Sequence, residues 1–122
     1  MDDARVWGSE EGLWTADADH YRETVDADCL MVLPDPPYVF GGGEAVDEVS
    51  RTPRWTQVAF SDQKVSRPQE GVIVIAYKVE ASKDGGASYA AWCSTTYRRL
   101  EHDVWRVIQH QQTPVSQTAT HD

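Results

Sequence analysis

The carboxy-terminal third of the chain admits few folds. Ser88-Tyr-Ala-Ala-Trp-Cys-Ser-Thr-Thr-Tyr-Arg-Arg99 and Val104-Trp-Arg-Val-Ile-Gln-His-Gln-Gln-Thr113 are rich in β-branched and aromatic residues, and the polar turn Leu100-Glu-His-Asp103 joins them. Pro114, which has no amide to donate, stops the second run. The pair reads as one long hairpin, and its composition is too polar for a plain packing surface. With Arg99 opposite Val104, alternation puts Trp92, Ser94, Thr96 and Arg98 on one face with Trp105, Val107, Gln109 and Gln111. Cys93, Thr95, Tyr97, Arg106, Ile108, His110 and Gln112 take the other face, and a slip of one residue would exchange the two sets on the second strand. Aromatic walls interrupted by hydroxyls and amides suit a small-molecule cavity, so the first face is expected to line one.

Upstream, Val72-Ile-Val-Ile-Ala-Tyr-Lys-Val79 is strongly β-branched and Ser82-Lys-Asp-Gly-Gly86 is a turn into the hairpin. Trp55 to Val65 reads as the strand before it, with the turn Arg67 to Gly71 between them. At the amino-terminal end, Ser9 with Glu10 and Glu11 makes a helix start, the carboxylates complementing the positive end of the dipole. Trp14, Ala18, Tyr21 and Val25 follow at helical spacing, which predicts one amphipathic helix running to about Asp26. Cys29 to Leu33 is a short buried-strand run, Tyr38 to Phe40 adds a few extended residues, and Glu44 to Ser50 reads as a short helix. The predicted order is helix, strand, short helix and then four strands in hairpin succession, an α+β layout with an antiparallel sheet.

The chain's 122 residues suit a single domain, ordered from about residue 7 to 114 with a frayed tail over 115–122. Twenty acidic residues against 11 basic ones give a formal net charge of −9, so nucleic acid and anionic membrane are not expected as partners. No apolar run has the length of a membrane span, and a cytoplasmic location is expected. Cys29 and Cys93 are too few for a disulfide framework, and the four histidines never fall at metal-ligand spacing. Neither a metal nor an organic cofactor is expected. Gly41-Gly-Gly43 lacks the Lys-Ser/Thr of a phosphate-cradling loop and reads as a turn.

Trp14…Asp17…Tyr21…Val25…Asp28-Cys-Leu-Met-Val-Leu-Pro34 resembles the helix-to-strand signature of SnoaL-like and kinase-association-domain-like members of the nuclear transport factor 2-like superfamily. Ser94 to Arg99 with Val104 to Pro114 is similar to their closing hairpin. The resemblance implies a cone: a curved antiparallel sheet wrapped around a long amino-terminal helix. It also implies an interior cavity and, in enzymatic relatives, an Asp, a His or both placed to move a proton next to a carbonyl.

Three functions follow. In the first, the chain binds an apolar or aromatic small molecule through Tyr21, Trp55, Trp92, Ser94, Trp105 and Gln109. In the second, it is a proton-transfer enzyme of the polyketide cyclase, isomerase or dehydratase type, with Asp28, Tyr21 or His110 as catalytic candidates. In the third, it is a non-catalytic homodimerisation module whose outer sheet face, carrying Tyr89, Tyr97, Ile108 and His110, forms the interface. An ionisable residue inside the cavity beside an aromatic wall separates the second reading from the others.

Overall fold

The computed structural model describes residues 1–115, and beyond Val115 the expected frayed tail lies outside the described residues. The chain forms helices α1 (Asp3–Thr15), α2 (Ala18–Thr24) and α3 (Gly42–Arg51) and strands β1 (Val25–Val32), β2 (Val39–Gly41), β3 (Gln57–Gln69), β4 (Val72–Ser82), β5 (Ser88–Arg99) and β6 (Trp105–Pro114). The strands make one six-stranded curved, unclosed sheet in the order β2-β1-β6-β5-β4-β3, an α+β fold with the helices on its concave side. Among the described residues no helix is long and apolar enough to cross a membrane.

The single amphipathic helix of the sequence reading is two helices. Asp2, not Ser9, caps the first, its carboxylate accepting from the Arg5 amide at 2.8 Å. Ala16 is extended and Asp17 caps α2 through the Asp19 amide, so the chain turns between Trp14 and Tyr21 while both still point inward. Gly12 sits where the helices meet: a Cβ there would lie 2.5 Å from the His20 ring, which itself bonds the Ser9 carbonyl at 3.0 Å. Val25 is the first residue of β1.

The sheet is mixed. The pairs β1–β2, β3–β4, β4–β5 and β5–β6 are antiparallel, but β1 and β6 run parallel. The two are far apart in sequence, and the intervening meander provides the long connection a parallel pair needs.

The closing hairpin turns inward the face opposite to the one expected. Arg99 lies opposite Trp105, one residue further along than expected, and a bulge at Ile108 lets Tyr97 face Val107 while Thr96 faces Gln109. A bulge inverts the alternation beyond it. Val107 is therefore inward on one side of the bulge and His110 and Gln112 are inward on the other, beside Cys93, Thr95 and Tyr97. Trp92, Ser94, Thr96, Gln109 and Gln111 form the outer face.

Candidate functional site

The core of the cone contains a charge. Glu10 projects from the inward stripe of α1, with Val6 one turn before it and Leu13 and Trp14 after it, and it is 0% exposed. An ionised carboxylate so placed is tolerated only when its lone pairs are satisfied. Oε2 accepts from the Tyr77 hydroxyl of β4 at 2.5 Å and from Thr95 Oγ1 of β5 at 2.6 Å; Oε1 accepts from the Tyr97 hydroxyl at 2.9 Å. Trp14 Nε1 donates to the Tyr77 oxygen at 3.1 Å.

His110, 3% exposed, completes the cluster from β6. Its Nδ1 lies 2.7 Å from Thr95 Oγ1 and 3.5 Å from Glu10 Oε2. Because the Thr95 proton goes to Glu10, the Thr95 oxygen accepts, and the ring must carry its proton on Nδ1. Nε2 is then the bare nitrogen on the cavity side, where the Gln112 amide donates to it at 3.1 Å. Tyr89 in turn donates to Gln112 Oε1 at 3.1 Å. A continuous line thus runs Glu10, Thr95, His110, Gln112, Tyr89 from the core to the cavity.

The electrostatics follow from burial and partners. Burial pushes the Glu10 carboxyl up, but the His110 ring beside it, with the Thr95 and Tyr77 hydroxyls, outweighs it and holds the group below its ordinary value. Burial, and after it the Glu10 charge, raises Tyr77 and Tyr97, so both stay protonated donors. Tyr89 is pushed up to about 12, chiefly by burial. Burial likewise takes Cys29 and Cys93 to about 12, which leaves both thiols protonated.

This line opens into a cavity of about 390 Å³ between α1, α2, α3 and the concave sheet face. Its walls are Trp14, Tyr21, Met31, Leu33, Phe40, Val49, Trp55 and Tyr89, with Asp35, Glu48, Arg54 and Lys83 also lining it. Trp55 stacks on Tyr89 at 5.9 Å and 17°, and Trp14 meets the His110 ring edge-on at 6.2 Å.

Of the residues singled out from sequence, Tyr21, Trp55 and His110 line this cavity. The Tyr21 hydroxyl is already committed, donating to the Leu13 carbonyl at 2.6 Å, and burial raises its pKa further. The expected placement of Trp92, Ser94 and Gln109 in the cavity is corrected: they are on the outer face, where Gln109 bonds Ser94 at 3.3 Å and Thr96 at 3.0 Å. Trp105 sits at the far end of the sheet, under the Arg99 guanidinium and beside Asp103. Asp28 is exposed on β1, its amide donating to Asp26, which is buried and paired with Arg98 at 2.8 Å. The expected interface set is corrected too, because Tyr97 and His110 are interior and Tyr89 faces the cavity. Glu10, Thr95, Gln112 and Arg54 were not singled out from sequence. The one signal for Glu10 was its place on the Val6, Leu13, Trp14 stripe. Among the described residues no group of three or more His, Cys, Asp or Glu is placed to hold a metal ion.

No family model and no curated protein matches the chain. Solved structures do. A candidate ketosteroid isomerase from Parabacteroides distasonis superposes with a TM-score of 0.79 at 17% identity, covering 93% of this chain and 87% of that one. A nuclear transport factor 2-like protein of unknown function in nutrient uptake from Rhodospirillum rubrum gives 0.78 at 14% identity, covering 95% and 100%. The association domain of the C. elegans calcium/calmodulin-dependent kinase II gives 0.70 at 15% identity, covering 90% and 91%. At these identities the likeness is one of fold.

Proposed function

We propose, with the nuclear transport factor 2-like fold of the chain as premise, that the cavity is the site of a proton-transfer reaction on a small planar carbonyl compound, with His110 as the base. The observation that carries this reading is the line from Glu10 through Thr95 to His110 Nδ1. It leaves Nε2 unprotonated on the cavity side, where a substrate C–H must displace the Gln112 amide that donates to it, and keeps a negative charge behind the ring. Nε2 takes a proton from the carbon next to a carbonyl; the imidazolium so formed is stabilised by the Glu10 carboxylate, and the proton returns to the same or a neighbouring carbon. The developing enolate oxygen needs a donor, and the Gln112 amide, whose oxygen is held by the Tyr89 hydroxyl, has its N–H groups at the His110 ring to supply one. Glu10 and Thr95 do not touch substrate; they position the ring. The named function of the Parabacteroides distasonis neighbour belongs to the same reaction class.

The test is exchange of α-protons of a panel of aryl and polycyclic ketones in D2O, followed by proton NMR. Wild-type protein should exchange at least one of them faster than His110→Asn by on the order of 10²–10⁴. Equal rates in the two would end the reading.

A homodimer is proposed alongside, on a corrected surface. Leu30, Val32 and Trp92 are 60%, 44% and 49% exposed, and the register puts all three on the outer face, Leu30 and Val32 on one side of β6 and Trp92 on the other. Large apolar side chains exposed on the outer face of the sheet favour a self-complementary contact. Sedimentation should show about twice the chain mass for wild type and a monomer for Trp92→Glu; a wild-type monomer at all concentrations would refute it.

A further inference from the structure

The mouth of the cavity carries two cations without carboxylate partners among the described residues, in a chain that is strongly acidic. The protein has a formal net charge of −9, and Arg5, Arg22, Arg51, Arg67, Lys78, Arg98 and Arg99 each hold a carboxylate partner. Arg54 and Lys83 have none among the described residues, and both line the cavity half-buried. Each is held against an aromatic ring: the Arg54 guanidinium carbon lies 5.5 Å from the Tyr21 centroid and Lys83 Nζ lies 4.6 Å from that of Trp55. Arg54 is also fixed in place by the end of α1, with Nε donating to the Ala16 carbonyl at 2.8 Å and a terminal nitrogen donating to Leu13. Its other terminal nitrogen has no hydrogen-bond partner among the described residues, so a partly desolvated cation lines the cavity.

The acids nearby do not neutralise it. Glu48 is engaged by Arg51 and Thr52, Asp35 is exposed on the rim, and Glu10 is sealed in the floor by its own hydrogen bonds. Partly desolvated cations attract an anion more strongly than the solvated Asp35 opposes it. Asp35 and Glu48 still disfavour a doubly charged group, which favours carboxylate over phosphate.

We infer that the ligand is a planar, largely apolar monocarboxylate, its charge held at the mouth by Arg54 and Lys83 and its flat body laid along Trp14, Trp55 and Tyr89. The inference rests on the reading of this cavity as the ligand site and names the substrate class for it. It also gives the reaction a direction: an anion fixed at the mouth places the opposite end of a short aromatic acid at the His110 floor.

Calorimetric titration of the full chain with a matched probe pair tests this, using indole-3-acetate and the isosteric neutral indole-3-acetamide. The acid should bind about tenfold tighter than the amide, since a charge-assisted contact replaces a neutral one. That preference should shrink from 50 to 300 mM salt and vanish in Lys83→Gln and in Arg54→Gln. Arg54 also holds the end of α1, so a poorly folded Arg54→Gln is set aside and Lys83→Gln, whose side chain supports no other element, decides. His110→Asn should keep the acid preference while losing α-proton exchange, which separates the two readings. Equal affinity for acid and amide, absence of acid binding, or an unchanged preference in Lys83→Gln overturns the inference, whatever the exchange assay on ketones shows.

Discussion

The two faces of the β5–β6 hairpin are built from nearly the same residue types and do opposite things. The inner face carries Thr95, Tyr97, His110 and Gln112, and each polar atom there is tied to Glu10 or to a neighbour in the same line. The outer face carries Ser94, Thr96, Gln109 and Gln111, whose hydroxyls and amides bond one another in partial contact with water. Polarity therefore does not mark the face of the candidate site; burial of a charge does. Hydroxyls and amides at a surface are nearly neutral in energy, whereas the same groups around a buried carboxylate hold its charge in the core and orient a base.

Substitutions paired across the sheet put that contrast at risk. The largest difference should come from the tryptophans. Trp14→Ala opens the interior and should cost roughly 3–5 kcal/mol in urea denaturation, against about 0.5 kcal/mol or less for the exposed Trp92→Ala. Similar losses for the two would mean that the inner and outer faces are wrongly assigned. Next comes Glu10→Gln. It keeps the shape but turns an amide donor towards hydroxyls that are already donors, which should cost about 1–3 kcal/mol.

The same variant has a pH signature. The folded carboxyl of Glu10 is held below its ordinary value, so its stabilisation is fully present above the unfolded value near 4.5 and is lost as pH falls through the folded one. Asp26, lowered first by the Asp28 amide and then by Arg98, acts with the same sign. Wild-type stability should therefore fall more steeply below pH 4.5 than that of Glu10→Gln; parallel curves would place the titrating charge elsewhere. Tyr89→Phe, which removes one donor at the cavity end of the line, should cost about 0.5–1.5 kcal/mol. Gln109→Leu, on the outer face, should change stability by about 0.5 kcal/mol or less. A larger loss there would make the outer amide network a structural element in its own right.

Much of the architecture was legible in the sequence. The β-branched run of β4, the glycine turn after it and the proline stop after β6 carry local signals, and they fall where the structure has them. The inward stripe of Trp14 and Tyr21 was legible as well, although the Asp17 cap that divides it into two helices was absorbed into a single periodicity. The face of the site was not legible. Alternation grouped His110 and Gln112 with Cys93, Thr95 and Tyr97 as the structure does, because the one-residue shift at the turn and the extra residue at Ile108 cancel beyond the bulge, but nothing local says which of the two faces turns towards the helices. Asp28, weighed as a candidate base, is exposed, and the buried carboxylate at that end of β1 is Asp26, two residues earlier. Glu10 was hidden by its neighbour: Glu10-Glu11 after a serine reads as a helix start, and only the contacts from β4, β5 and β6 reveal that one of the two carboxylates is interior. The parallel pairing of β1 with β6 is set by tertiary closure and leaves no local pattern.

The decisive measurement is the tautomer of the His110 ring, read from long-range ¹H–¹⁵N spectra of the imidazoles. The arrangement of Glu10, Thr95 and Gln112 requires the proton on Nδ1 and a bare Nε2 on the cavity side, distinct from the averaged signals of the exposed His102. Glu10→Gln should abolish that fixed tautomer. A proton found on Nε2, or a His110 ring that averages like His102, would contradict a base oriented by the buried carboxylate.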